Sequence, residues 1–350
     1  MLNRNNDSIS FSNPLINFLD LFIKFINQYY FIIIGVYFLH NAIITALYSS
    51  TGVDYKVYLF ALALASFTAY SEMKNNVKII PFLLCAVPFL FFLWHISGTA
   101  GYQFWDKMLR WEVNKGVVIN LNDIFKSIPF NDGALFRTYT SPTLTWIMTL
   151  IYNNGFVLPV LVPIYRAAIS KDFGKMLRYA LSSHLFQIFL ISPFYVIFHL
   201  QQVWFVLGQP DVMNRHLTTS QAASITINCF PSMHVSIAFA VFLLVLREKN
   251  KIFKYVWGFF CLSVVFSTLY LEVHWVLDVI GGIILAYVTI KLVDFVIAKG
   301  RNILDKPLSI VYFKNADRTK NKTLASFLQL SLDNYKNHKK IKNVNNDEKM

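Results

Sequence analysis

Long runs free of charge alternate with short polar segments along this chain, and the alternation predicts membrane-spanning helices. Tyr29–Tyr48, Ile79–Ile96, Trp146–Tyr165, Tyr179–Leu200 and Tyr255–Leu271 each approach or exceed the length that crosses the hydrocarbon core, roughly 18–20 residues. Val57–Ser71 is shorter and reads as a span only with its flanks. Cys229–Leu246 and Trp275–Leu292 are two further apolar runs. About eight spans follow by this criterion. The expected fold class is all-α, a polytopic integral membrane protein.

Before the first run, Asn13-Pro14 opens a stretch in which Asn17, Asp20, Lys24 and Asn27 recur every three or four residues. They share one face of a helix whose remaining surface is apolar. This pattern fits an in-plane interfacial helix and equally the first turns of an extended span. Trp105 and Trp111, beside Asp106, Lys107 and Arg110, predict an interfacial segment in the loop after Ile96. Gln201–Asn228 is a second outer loop. From Lys314 onward Asn and Lys dominate, with a basic run at Lys336–Lys342, as in a solvated, partly disordered tail. Five regions result: an N-terminus with interfacial helix (1–28), N-terminal membrane helices (29–97), an outer loop (98–143), a second membrane domain (144–297) and a basic tail (298–350).

Composition agrees with the hydropathy. Of the 350 residues 55% are hydrophobic and 15% charged, well below the roughly 25% charged residues of soluble domains. The net charge of +13 is not a nucleic-acid signature, because the cations cluster in alternate loops. Lys74 and Lys78 form one group; Arg166, Lys171, Lys175 and Arg178 a second; Arg247, Lys249, Lys251 and Lys254 a third; the tail a fourth. By the positive-inside rule these loops and both termini are cytoplasmic. Lys107, Arg110, Lys115, Lys126 and Arg137 depart from the pattern in an outer loop that also holds four acids. The three cysteines, Cys85, Cys229 and Cys261, have no metal-ligand or redox spacing and read as inert thiols. No cleavable signal is expected at the N-terminus.

The last two apolar runs carry the chemistry. Pro231-Ser232-Met233-His234 opens one, and Ser267, His274 and Asp278 flank the start of the other. If the alternation of spans holds, His234 and His274 meet the same interface although 40 residues separate them. His274 and Asp278 are spaced to share a helix face, so the carboxylate can take an imidazole N–H and leave the other nitrogen free to attack phosphorus. An Asp at the start of a span is costly unless bonded. Ser267 can donate to a phosphate oxygen, and His234 can protonate a leaving oxygen and then activate an acceptor. His40, His95, His184 and His199 lie near or in spans without such a motif and read as bonded or interfacial.

These residues resemble the type 2 phosphatidic acid phosphatase and haloperoxidase superfamily, whose last two motifs read Pro-Ser-Gly-His and Ser-Arg-x5-His-x3-Asp. The resemblance implies a six-helix phosphatase-type core with His274 as nucleophile, Asp278 as its partner and His234 as acid–base. It also implies phosphate binding by Ser232 and Ser267. Met233 stands at the glycine and Thr268 at the arginine, and both departures look like the inositol phosphorylceramide synthase branch. The superfamily's first motif, Lys-x6-Arg-Pro, has no match: Lys171 and Arg178 have the spacing, but Tyr179 follows and the loop lies on the other face. Arg215 and Arg137 are then the candidate phosphate-binding cations.

The resulting expectation is a phosphotransferase that moves a phospho-head group, inositol phosphate from phosphatidylinositol, to a lipid hydroxyl such as ceramide. Its site would face the lumen or extracytoplasmic side. The expected partners are a phospholipid donor, a lipid acceptor and the bilayer, with no nucleic acid, cofactor or metal. Two alternatives remain open: a lipid phosphatase acting on phosphatidic acid-like monoesters, and a non-catalytic lipid-binding, transport or scaffold protein.

Overall fold

A computed structural model describes residues 14–74, 77, 79–96, 103–104, 107 and 119–316. The described chain is mainly helical, with two short strands and connecting loops. α1 (Pro14–Tyr48), α2 (Val53–Thr68) and α3 (Ile79–His95) are followed by β1 (Ile119–Asn120), α4 (Asn122–Ser127), α5 (Pro142–Asn154) and α6 (Leu158–Ile169). α7 (Phe173–Ala180) runs through a π turn at Leu181–Leu185 into α8 (Phe186–Ile197). β2 (Phe198–His199), α9 (Val203–Val206), α10 (Thr219–Ile225), α11 (Met233–Val245), α12 (Lys251–Tyr270) and α13 (Val276–Ala316) complete the order. Contacts divide the chain into Met1–Val293 and Asp294–Met350, and the cavity and all residues around it belong to the first unit.

α11 and α12 form the centre of the bundle. Phe253, Trp257, Cys261 and Val264 recur at helical spacing on the buried face of α12, against Ala238, Val241 and Val245 of α11. Ala238 and Ala240 are small enough to bring the two helices close. The outward faces are the reverse of a soluble protein's. Leu84, Phe189, Phe259 and Ile284 are all more than half exposed, which water would penalise and lipid does not.

Among the described residues four helices are long and apolar enough to cross a membrane: Lys24–Tyr48, Phe173–Ile197, Lys251–Tyr270 and Val276–Gly300. The pair α5–α6 makes a fifth, bent by 59°. Pro81–His95 and Met233–Val245 are apolar but shorter. Fewer full-length spans therefore stand among the described residues than the eight apolar runs predict, and the causes are local. The run Trp146–Tyr165 breaks after Asn154, whose Nδ2 donates to Asp54 Oδ1 at 2.6 Å and to the Leu150 carbonyl at 2.8 Å. The run Cys229–Leu246 enters its helix only at Met233. In the first run, α1 continues unbroken from Pro14, so its polar end and its apolar stretch share one helix. Trp105, Asp106, Arg110, Trp111 and the basic run Lys336–Lys342 lie outside the described residues.

At the end of α11 remote from His234, roughly 20 Å away at 1.5 Å per residue, charged groups are buried together. Arg166, 2% exposed, donates to Glu248 Oε2 at 2.9 Å, to Glu72 Oε1 at 3.2 Å and to the Thr68 carbonyl at 2.9 Å. Lys175 bridges Glu72 and Glu248, and Tyr179 donates to Glu248 Oε1 at 2.7 Å. Burial pushes the Glu248 carboxyl above its ordinary range, with Glu72 adding to the rise and Lys175 and Arg166 opposing it. Each charge in this knot has an opposite partner, the condition under which buried ions persist.

Candidate active site

Main-chain bonds bring the two histidine motifs together. The N–H of Ser232 donates to the carbonyl of Asp278 at 3.1 Å. Tyr195 Oη donates to the Pro231 carbonyl at 3.0 Å, and Ser232 Oγ accepts the Val235 N–H as the N-cap of α11. Close approach is possible because α13 presents Gly281 and Gly282 here. A Cβ on Gly282 would lie 2.7 Å from the Ser232 carbonyl oxygen. His234 thus sits in the first turn of α11, at the junction with α13.

His274 lies in the short turn between α12 and α13. Its N–H and that of Val273 both donate to the Thr268 carbonyl at 3.1 Å. Asn131, from the loop after α4, caps the start of α13 with two acceptors. Its carbonyl takes the Val276 N–H at 2.8 Å and its Oδ1 takes the Leu277 N–H at 2.9 Å. Trp275 Nε1 donates to the Gln201 carbonyl at 2.9 Å, and Gln201 is tied in turn to Asn122 of α4. The paired strands β1 and β2 join the same loops, with Ile119 opposite Phe198.

Within this frame His274 Nδ1 stands 3.2 Å from both oxygens of Asp278, and the Trp275 N–H donates to Asp278 Oδ2 at 3.0 Å. An ionised carboxylate only accepts, so this pairing places the proton on Nδ1 and leaves Nε2 with a free lone pair. The His234 and His274 ring centroids are 6.2 Å apart. Tyr152 stacks on the His234 ring at 4.3 Å and Phe156 meets its face edge-on at 3.9 Å. Both imidazoles line one cavity of about 360 Å³, within the roughly 300–1,000 Å³ of small-molecule sites. Tyr152, Phe156, Tyr195, Gln202, Asn228 and Cys229 also line it, and among the described residues no carboxylate, lysine or arginine does.

The other expected site residues lie around the cavity rather than in its wall. Ser232 and Ser267 are fully buried, Ser232 capping α11 and Ser267 donating to the Val264 carbonyl at 2.7 Å. Arg215 is held by Asp211, with Nε 2.7 Å from Oδ2 and Nη2 3.1 Å from Oδ1; Nη2 also reaches Gln202 Oε1 at 3.2 Å. Burial alone would raise Asp211, but the Arg215 hydrogen bonds and charge outweigh it and hold the carboxyl below its ordinary range. Arg137 faces Glu272 at 3.3 Å and Asp132 at 3.5 Å. Both candidate cations are thus neutralised by acids outside the cavity wall. Cys229 Sγ, a His274 ring nitrogen and an Asp278 oxygen lie within 4.8 Å of one another, a set with the donor types of a metal site.

Tyr152, Phe156, Asn131 and Gln202 carry no motif. Only the indirect signal of polar or aromatic residues beside apolar runs marks them in the sequence. A family model described as the PAP2 superfamily matches residues 181–299, a stretch that includes His234, His274 and Asp278. The match supports the type 2 phosphatidic acid phosphatase superfamily, and with it lipid chemistry of the phosphatase or phosphotransferase kind. No curated protein and no solved structure matches the chain.

Proposed function

We propose that the protein is an integral-membrane lipid phosphotransferase that moves inositol phosphate from phosphatidylinositol to a lipid hydroxyl such as that of ceramide. The observation that carries this reading is the pairing of His274 with Asp278 on the same cavity as His234, with the two rings 6.2 Å apart.

His274 Nε2 attacks the phosphorus of the donor diester while His234 gives its proton to the departing diacylglycerol oxygen. The P–O bond to diacylglycerol breaks as the N–P bond forms. Asp278 holds the Nδ1 proton and stabilises the positive charge that develops on His274. The acceptor hydroxyl then loses its proton to His234 and attacks the phosphohistidine, which frees His274. His234 returns to its starting state, and the two half-reactions share one site.

The neutral wall favours a diester donor. A phosphodiester carries one negative charge, whereas a phosphomonoester near neutrality carries close to two and calls for fixed cations. Arg215 and Arg137 are engaged elsewhere, so among the described residues only the imidazoles can supply positive charge at the cavity surface. The lysine and arginine distribution supports a site open to the lumenal or extracytoplasmic side, with both termini cytoplasmic.

Purified protein in mixed micelles tests the reading. Wild type and His274→Ala are each offered labelled phosphatidylinositol with ceramide or diacylglycerol and, separately, phosphatidic acid. Head-group transfer by wild type alone is expected. Phosphate release from phosphatidic acid alone would make the protein a phosphatase, and transfer that survives His274→Ala would remove the nucleophile assignment.

A further inference from the structure

Two carboxamides share the cavity with the histidines, and their hydrogen bonding is one-sided. Gln202 is 6% exposed, and its Oε1 accepts from Trp204 Nε1 at 2.7 Å and from Arg215 Nη2 at 3.2 Å. Two donors on one atom settle which end of the amide is oxygen, since neither could face an NH2 group. The Nε2 end makes no hydrogen bond among the described residues, while the residue lines the cavity. Arg215 cannot swing away easily, because Asp211 holds it through two contacts and Trp204 lies under its guanidinium at 5.6 Å.

Asn228 offers the complementary group. Its Oδ1 is buried without a hydrogen-bond partner among the described residues, and the residue lines the same cavity. Its backbone sits in the left-handed region at φ 65°, where Asn is tolerated better than most residues, and the next residue is anchored by the Cys229 N–H to the Leu200 carbonyl at 3.1 Å. A buried carbonyl oxygen left without a donor costs free energy until a ligand supplies one.

We infer that Gln202 and Asn228 form a subsite that reads hydroxyl groups on the donor's head group. A hydroxyl both donates and accepts, so the hydroxyls of a polyol in this cavity offer a donor to Asn228 Oδ1 and an acceptor to Gln202 Nε2. An ammonium head group only donates and leaves Gln202 Nε2 unmet; a carboxylate only accepts and leaves Asn228 Oδ1 unmet. The subsite therefore selects by the mixed donor–acceptor character of the ligand, a discrimination that buried polar groups enforce by being left unpaired with the wrong partner. Arg215 acts here as a positioning residue that fixes the Gln202 amide. The assignment rests on the phosphotransferase reading for its substrate, but its binding chemistry can be measured apart from turnover.

The test is calorimetric binding of two soluble phosphodiesters, glycerophosphoinositol and the hydroxyl-free dimethyl phosphate, to wild type, Gln202→Leu and Asn228→Gly. Glycine keeps the left-handed backbone at 228. Wild type is expected to prefer glycerophosphoinositol, and each variant to weaken it about five- to tenfold, the loss of one neutral hydrogen bond. Dimethyl phosphate should change less than threefold. Equal losses for both probes, no loss for either, or a wild type without preference would overturn the subsite. If Gln202→Leu does not fold, Asn228→Gly decides alone. A protein that binds glycerophosphoinositol in this pattern yet turns over no lipid would uphold the subsite and remove the phosphotransferase reading instead.

Discussion

The N–H of Ser232 and the carbonyl of Asp278 are 3.1 Å apart, so the two histidine motifs are joined through their main chains. The bond requires α11 and α13 to approach within the width of a glycine. Gly282→Ala sets a methyl group 2.7 Å from the Ser232 carbonyl oxygen, and backbone on that side cannot retreat cheaply. The variant should lose about 1–3 kcal/mol of stability, the usual result of overpacking. Its activity should fall even in the folded fraction; thermal unfolding in detergent alongside specific activity checks both.

The dyad and the acid–base group should separate kinetically. Asp278→Asn puts the His274 proton on the wrong nitrogen and should reduce turnover by about 10³- to 10⁴-fold. His234→Ala should lose about 10²- to 10⁴-fold with a natural donor. A diester with an acidic leaving group needs no protonation, so it should restore phosphorylation of His274 in the His234→Ala protein. Trapping of acid-labile label on the protein reads this out, and failure of the activated donor would remove His234 from the first half-reaction.

Tyr152 and Phe156 hold the His234 ring by its faces. Tyr152→Ala should displace the imidazole and reduce turnover roughly 10- to 100-fold, because small misplacements of reacting groups are costly. Tyr152→Phe keeps the stacking ring and should retain most activity. Equal losses in both variants would mean that the hydroxyl, not the ring, is what matters.

Asn131 satisfies two N–H groups at the start of α13 from a distant loop. Asn131→Ala removes the side-chain acceptor for Leu277 and should cost about 1–3 kcal/mol. Hydrogen exchange should speed at the first turn of α13, with KM and kcat both affected because Asp278 sits in that turn. Unchanged exchange there would contradict the capping role.

The Asp211–Arg215 pair sets a pH expectation. The folded carboxyl titrates below its ordinary 3.8, so the pair stabilises the protein fully above that value and is lost only as pH falls through the lower folded value. The stability difference between wild type and Asp211→Asn should be constant near neutrality and shrink in strong acid. A difference that vanished already between pH 5 and 7 would contradict this sign. Asp211→Asn should also raise KM for the inositol-bearing donor, since Arg215 positions Gln202.

The parts of the site that declared themselves in the sequence are those with fixed spacing. His274 and Asp278 sit four apart because one helix turn separates them, and Pro231-Ser232 announces a helix start. The charge-free run Trp146–Tyr165 reads as one span because Asn153, Asn154 and Gly155 carry no charge, yet the helix breaks there, and the bond from Asn154 to Asp54 of another helix leaves no mark in the hydropathy. Nor could it show that Cys229–Ser232 precedes the helix rather than beginning it. Asn131 and Gln202 act through long-range bonds that leave no periodic trace. Arg215 and Arg137 are read as phosphate ligands for want of nearer cations; Asp211 and Asp132 stand close to them in sequence, but that these pairs form, and that Glu272 joins Arg137 from 135 residues away, is visible only in three dimensions.

His234 is gripped by aromatic faces, and its ring nitrogens form no hydrogen bond among the described residues. Such a mounting fixes where the imidazole is without dictating which edge bears hydrogen. In a two-stroke cycle the group that surrenders a proton to one alcohol must reclaim it from another, arriving from the same side of the membrane. A partner carboxylate would bias the ring toward one of these states and brake the other stroke. Clamping by π surfaces leaves neither ring nitrogen committed to a fixed partner among the described residues, so both are open to these two transfers, and net direction, as for any catalyst, is dictated by the supply of the two lipids.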